Sequence, residues 1–371
     1  MVIIFEITIF IITLLIFFNV LINFFNWNSP KEFSRKYDMD LTVLIPARNE
    51  EYNIKNCLDS IGPEIELIKE IIVLDDNSTD NTYEIVKNIS DKNQKIKIKS
   101  GKILQDGWVG KSFACRQLSE YAETKWILFL DSDVILQRNA ISKLVHFAEK
   151  NQYSMISAWP KIFVKGFAEK IFMPLLNFIV FTTYPTSLSE KSMLPSLGLA
   201  HGACILFKRS EYNKLGGHNL VKNSLFEDTS LARKWREKGS KSICINGANL
   251  IKVRMYNNFY EIWKGFEKNA YPAFSKKISF LTFHTLRPIF FLFPYLYIPF
   301  YLMSDFKFNL YLSIVFMLTL IRLLMAIKFR HPVWSILFHP IAEIVFIIIS
   351  ISSFIKFTFL GGVQWKDRNY K

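Results

Sequence analysis

The distribution of charge along the chain limits the folds open to it more than any motif does. Residues Val2–Trp27 are apolar except for Glu6 and a few Asn and Thr, and Phe280–Met303, Phe308–Ile327 and Trp334–Phe359 are apolar again. At about 1.5 Å per residue, each is long enough to cross a hydrocarbon layer of roughly 30 Å. Most ionisable groups lie between the two ends. This is the pattern of a soluble domain held between membrane segments. The expected division is an N-terminal anchor over 1–28, a soluble domain over 38–275, spanning or re-entrant helices over 278–360 and a basic tail over 361–371. The first segment lacks the basic start, short apolar core and small-residue cleavage site of a signal peptide, so it reads as an uncleaved anchor. Lys31, Arg35 and Lys36 follow it and favour a cytoplasmic position for the next domain. One anchor plus three spans would carry the tail outside, whereas Lys366, Arg368 and Lys371 favour the cytoplasm. The expectation is therefore that one segment, the last, is re-entrant, because Pro340 and Gly361-Gly362 allow breaks.

Lys+Arg 46 against Asp+Glu 32 gives a net charge of +14 and points to an anionic partner: lipid headgroups, nucleic acid or a phosphorylated substrate. Hydrophobic content of 50%, with 35 Phe, favours the membrane, and no nucleic-acid partner is expected. Ile96 and Ile98 alternate with Lys95, Lys97 and Lys99, which fits a half-exposed strand near a sheet edge better than a nucleic-acid patch. The four cysteines are widely spaced and form no CxxC, so neither a disulfide framework nor a zinc site is indicated.

From Leu41 onward strand and helix signals alternate, which predicts an α/β domain with a mostly parallel, doubly wound sheet. Leu41–Ile45, Glu70–Leu74 and Trp126–Leu130 are short apolar runs of the kind buried on both faces. Each stops at polar residues: Pro46–Glu51 (PARNEE), Asp75-Asp76, and Asp131 with Asp133. In such a sheet these ends lie side by side and form the ligand crevice. Carboxylates there suit ribose hydroxyls, a base N–H and a hard divalent cation, Mg²⁺ or Mn²⁺, which neutralises a diphosphate. Neither GxGxxG nor GxxxxGK[ST] is present to cradle phosphates instead. Phe226–Gly239 reads as an amphipathic helix with Glu227 and Asp228 at its amino end, where a capping role is the alternative to chemistry.

IPARNEE at 45–51, DDNSTD at 75–80, DGWVGKSFAC at 106–115, DSD at 131–133 and FEDTSLARKW at 226–235 resemble the successive motifs of inverting family 2 glycosyltransferases of the GT-A fold. GWVGK, HGACILFKR at 201–209, RMY at 254–256 and WKDRNY at 365–370 resemble a narrower group, the membrane glycosyltransferases of bacterial terpenoid lipids, both staphyloxanthin-type carotenoid and hopene-associated. The resemblance implies that Pro46, Arg48, Glu50 and Asp76 line a uridine pocket, that Asp131 holds the ribose side, and that Asp133 ligates Mg²⁺ or Mn²⁺. It makes Lys111 a diphosphate or sugar contact, Asp228 the general base and Glu227 its neighbour in the catalytic pair. Lys111 as a solvated helix lysine, and Arg48 as a salt-bridge partner of nearby acids, are the structural alternatives. His201, Gly202, Arg254 and Trp365 are candidates for the acceptor or diphosphate side. The implied reaction moves a single hexose, glucose, from a UDP-sugar to a lipophilic terpenoid such as a carotenoid acid, since the QxxRW motif of processive members is missing. The alternatives are another lipid acceptor (hopanoid, polyprenyl phosphate or glycerolipid) or nucleotidyl transfer. The expected location is the cell membrane, multi-pass, with the catalytic domain cytoplasmic. Phe163, Phe167, Ile171, Leu175 and Phe178 recur at helical spacing within 161–185, which predicts an interfacial helix kinked at Pro174.

Overall fold

The structure is a computed structural model that describes residues 2–31, 38–274, 276–302, 310–365 and 368–370. The expectations resting on Arg35, Lys36, Lys366 and Lys371 lie outside these residues. The chain forms two compact units, Asn28–Phe163 with Leu188–Met255, and Met1–Trp27 with Val164–Ser187 and Tyr256–Lys371.

The first of these is the α/β unit. Its strands are β1 (Leu41–Ala47), β2 (Glu70–Asp75), β3 (Ile96–Ser100), β4 (Trp126–Leu130), β5 (Val134–Leu136), β6 (Met155–Trp159), β7 (Lys161–Ile162), β8 (Cys204–Lys208), β9 (Ser242–Asn246) and β10 (Ile251–Val253). Seven of them form one sheet in the order β3-β2-β1-β4-β8-β6-β9. The β1–β2, β1–β4, β2–β3 and β6–β9 pairs are parallel, while β8 runs against both β4 and β6. Strands buried along their whole length need apolar side chains on both faces, and β1 supplies them: Val43 and Ile45 enter one core, Leu44 the other. Helix Ile54–Ile61 covers the first face through Ile54, Cys57, Leu58 and Ile61. Helices Gly110–Tyr121 and Glu227–Glu237 cover the second, the latter through Leu231, Ala232 and the fully buried Trp235. β3 is an edge strand with Lys97 exposed, in keeping with its alternating sequence. A small sheet, β5-β10-β7, lies beyond the end of β4.

Among its described residues the helical unit contains three helices long and apolar enough to cross a membrane: Ile3–Asn26, Leu310–Phe329 and Val333–Phe359. The first contains a buried amide whose purpose the packing explains. Asn23 Nδ2 donates to Phe181 O at 3.0 Å and Tyr184 O at 2.7 Å, and its Oδ1 accepts from Thr186 N at 3.0 Å. Three sequence expectations differ from the structure. The 161–185 segment is β7 followed by separate helices Phe167–Phe172 and Pro174–Thr183, because Gly166 and Pro174 each start a new helix. The stretch from Phe280 is two helices, Lys277–Phe291 and Phe293–Leu302, meeting at Leu292: Pro288 is accommodated inside the first, and Pro294 stands in the first turn of the second, where a proline starts a helix more readily than it continues one. Pro340, expected to break the last segment, instead stands in the first turn of an uninterrupted helix, His339–Phe359, where a missing N–H costs nothing. After it Gly361 and Gly362 adopt positive φ of 75° and 105°, and the chain turns into a hairpin of β11 (Val363–Trp365) and β12 (Arg368–Tyr370).

Candidate functional site

The loops that follow β1 and β2 are locked into each other by their own polar residues. Asn49 and Asn77 take the left-handed conformation, with φ of 53° and 57°, which asparagine tolerates better than most residues. Asn49 N donates to Ser78 Oγ at 3.0 Å, Thr79 N to Asn49 Oδ1 at 2.8 Å, and Glu50 N to Thr82 Oγ1 at 2.8 Å. Arg48 Nη1 donates to the Asp76 and Asn77 carbonyls at 2.7 and 2.8 Å. Pro46, Arg48, Glu50 and Asp76 thus line one rim of the sheet, with Pro46 beside Leu74 in the register. Gly101, just after β3, passes so close that a Cβ would lie 3.0 Å from Asp75 O, a tight contact that favours glycine there. Asp75, a neighbour the motif reading passed over, is 8% exposed, and its Oδ1 has no hydrogen-bond partner among the described residues.

The second cluster is built around Lys111, in the first turn of helix Gly110–Tyr121. Its Nζ lies 2.7 and 2.8 Å from the two Asp131 oxygens and 3.3 Å from Glu227 Oε1. Asp228, next to Glu227 on the first turn of its helix, accepts from Gly202 N at 2.7 Å and from Thr229 N at 2.6 Å. Thr229 Oγ1 in turn donates to Ala200 O at 2.9 Å, fixing that helix to the strand leading into β8. Gly202 leaves room for the lysine: a Cβ there would come within 2.7 Å of Lys111 Nζ, which would have to move, and 3.5 Å of Asp228 Oδ2. His201 is held by Ser157, whose Oγ accepts from His201 N at 2.7 Å, and its Nδ1 accepts from Ala203 N at 3.2 Å. Lys111, Asp131, Gly202, Glu227 and Asp228 therefore form one contiguous constellation at the end of β4. Arg254 follows β10 in the same unit, whereas Trp365 belongs to the helical unit, where Lys268 Nζ lies 4.8 Å from its ring centre.

Residues 42–216 match the model of glycosyl transferase family 2. The chain carries a family 2 glycosyltransferase domain. A 4,4'-diaponeurosporenoate glycosyltransferase of Staphylococcus haemolyticus is 27% identical over 233 residues, 62% of this chain and 60% of that protein. The protein of the same name from Staphylococcus aureus strain USA300 is 28% identical over 239 residues, with the same coverage. The match thus spans about 60% of the length of these curated relatives. Among solved structures, a mannosyltransferase from Pyrobaculum calidifontis in complex with GDP-Man and Mn²⁺ aligns over 96% of this chain and 99% of its own, with a TM-score of 0.58 at 16% identity. The fold is GT-A, with apolar helices at both ends of the glycosyltransferase domain.

Electrostatics within the glycosyltransferase domain divide its carboxylates. Burial raises Asp131, and the lysine beside it offsets part of that rise. Burial alone would push Lys111 down, but Asp131 and Glu227 hold it well above the usual lysine range. Asp228 is pushed up to about 7, by burial first and by neighbouring Glu227 second. Burial and the positive Lys111 bring His201 down to about 3, so it stays neutral. Among the described residues no group of three His, Cys, Asp or Glu side chains forms a ready metal cage. A hard ion such as Mg²⁺ or Mn²⁺ needs only one or two protein carboxylates when phosphates complete its shell. Both Asp131 oxygens face Lys111. Ser157 and Thr229, at 0% and 2% exposure, were given no role from the sequence, because their hydrogen bonds to His201 and Ala200 exist only in the folded chain.

Proposed function

We propose that the protein is an inverting transferase that moves a single glucose from UDP-glucose to a lipophilic terpenoid acceptor such as a carotenoid acid. The observation that carries the reading is Asp228: a carboxylate raised to about 7, aimed by two backbone amides and set beside a lysine and two further acids. A base that titrates near the working pH can both take and hold a proton. With a hydroxyl acceptor, Asp228 takes the proton as the acceptor oxygen bonds to the anomeric carbon. The bond from that carbon to the β-phosphate oxygen breaks on the opposite face, UDP leaves with the electron pair, and configuration inverts. With a carboxylic acid acceptor the nucleophile is already ionised and the base contributes little. Lys111, kept charged by its neighbours, places positive charge on the nucleotide side as negative charge develops on the leaving group. Pro46, Arg48, Glu50 and Asp76 would receive the nucleoside, with Asp131 holding Lys111 and the ribose side. Asp133 would hold Mg²⁺ or Mn²⁺, which when bound neutralises the diphosphate.

The name shared by the two staphylococcal relatives supports the acceptor class, and the mannosyltransferase of the same fold supports a nucleotide sugar with a divalent cation. Three candidate spans also fit a cytoplasmic catalytic domain. One span precedes the glycosyltransferase domain and two follow it, so domain and tail fall on the same side of a cell membrane, as the basic tail favours. The decisive experiment incubates membranes carrying the protein with labelled UDP-glucose, Mn²⁺ and 4,4'-diaponeurosporenoate. Mass spectrometry should find one glucose per acceptor and UDP as co-product. Pyrophosphate released from a nucleoside triphosphate, with no glycolipid, would make the protein a nucleotidyltransferase instead.

A further inference from the structure

The helical unit contains a buried polar group that the transfer chemistry leaves unused. Arg287, 2% exposed, donates Nε to Glu343 Oε2 at 2.9 Å and Nη2 to Glu343 Oε1 at 2.6 Å. Its guanidinium lies 4.9 to 5.6 Å from the ring centres of Phe178, Phe283, Phe291 and Phe346. Arg322, 3% exposed, approaches the same Phe178 ring at 5.7 Å, and the His339 ring lies 4.7 Å from it. Among the described residues Glu343 is the carboxylate paired with this group, so two guanidinium cations share one counter-charge. Arg287 Nη1, Arg322 Nη1 and both ring nitrogens of His339 have no hydrogen-bond partner there. Bare donors in an apolar bundle are costly, and an excess cation among membrane-crossing helices more so.

Arg287 also stands in the wall of a cavity of about 520 Å³, within the range of roughly 300 to 1,000 Å³ typical of ligand sites. Ile278, Phe283, Leu286 and Phe290 make most of the remaining wall apolar, and Ile278 and Leu286 are exposed along its mouth. A neutral lipid would match that wall and leave the guanidinium unmet, while a free inorganic anion would meet the guanidinium and leave the wall unfilled. We propose that this cavity binds an amphiphile with one oxyanion head, its hydrocarbon chain along the apolar wall and its head accepting a hydrogen bond from Arg287 Nη1. The head thereby supplies the second counter-charge. The proposal does not depend on the transferase reading. A carboxylate head, as in a terpenoid or fatty acid, and a phosphate head, as in a phospholipid, share this chemistry.

Native mass spectrometry of the full-length protein in neutral detergent tests it with two mixtures: phosphatidylglycerol against phosphatidylcholine, and palmitate against hexadecanol. In at least one, a single anionic ligand per chain should be retained about tenfold or more over its uncharged counterpart. Success with phosphatidylglycerol assigns a phosphate head, success with palmitate a carboxylate head. Arg322→Met, which removes the excess charge, should lower the preference several-fold. Thr282→Trp, at an exposed position of the cavity wall, should exclude anionic and neutral ligands alike without disturbing the buried pair. Equal retention of charged and uncharged ligands by the unaltered protein, or unchanged binding by Thr282→Trp, overturns the proposal.

Discussion

Replacing Asp228 by Asn removes a charge at almost constant shape and separates the residue's catalytic value from its cost to the fold. Its carboxyl rises from 3.8 to about 7, so the unfolded chain gives up this proton before the folded protein does. Stability is therefore unaffected below pH 4, declines as pH rises from about 4 to 7, and stays at its lower level above that. Between pH 5 and pH 8 the loss is on the order of 3 kcal/mol at about 1.4 kcal/mol per pH unit, and partial exposure to the cleft trims it to roughly 2 kcal/mol. Asparagine carries no such penalty. Its one side-chain oxygen accepts from only one of Gly202 N and Thr229 N, and the amide left facing Nδ2 costs about 1–3 kcal/mol at every pH.

Measured as melting temperature relative to the unaltered protein, the Asn variant should therefore gain about 3 °C on going from pH 5 to pH 8. Over the same range its turnover with a hydroxyl acceptor should fall by a factor of about 10²–10⁴, the usual value of a positioned base. A melting difference independent of pH would show that Asp228 is not held protonated by its surroundings. Normal turnover with a hydroxyl acceptor would remove it from the reaction.

Asp133→Ala should abolish the metal-dependent part of UDP binding in calorimetry with and without Mn²⁺, and an unchanged affinity would end its assignment as metal ligand. Gly202→Ala forces the Lys111 ammonium away from a new Cβ at 2.7 Å and weakens one of its ion pairs, so turnover should drop roughly tenfold while the protein stays folded. Unaltered turnover in that variant would show that the contact is irrelevant. His201, brought down to about 3, should show the nitrogen-15 chemical shifts of a neutral imidazole with its proton on Nε2 from pH 5 to 8, and a titration near 6.5 would refute its burial. A reporter fused to the carboxyl terminus should read as cytoplasmic, and an outside signal would require another crossing among the helices after Tyr256.

Much of the α/β unit was legible because its strands are short apolar runs that end on polar residues. Burial on both faces leaves β1, β2 and β4 no other composition, and their acidic ends mark the crevice directly. The helical unit was less legible, since an apolar stretch has the same composition whether it crosses a bilayer or folds against its neighbours. The 280–302 stretch shows this: one apolar run in sequence, it is two helices that meet at Leu292, just before Pro294, while Pro288 is tolerated inside the first. Lys111 presents a different limit. Its motif indicates a cation near phosphate, and only the folded chain shows that Asp131 and Glu227, 20 and 116 positions away in sequence, both reach it. That placement explains how one region can hold three acids. A lysine beside Asp131 and Glu227 offsets their charge, while burial first and Glu227 second keep a proton on Asp228 up to about pH 7. Asp228, the proposed base, is therefore tuned by Glu227, and a substitution at Glu227 should move the pH profile even if Glu227 never touches the acceptor.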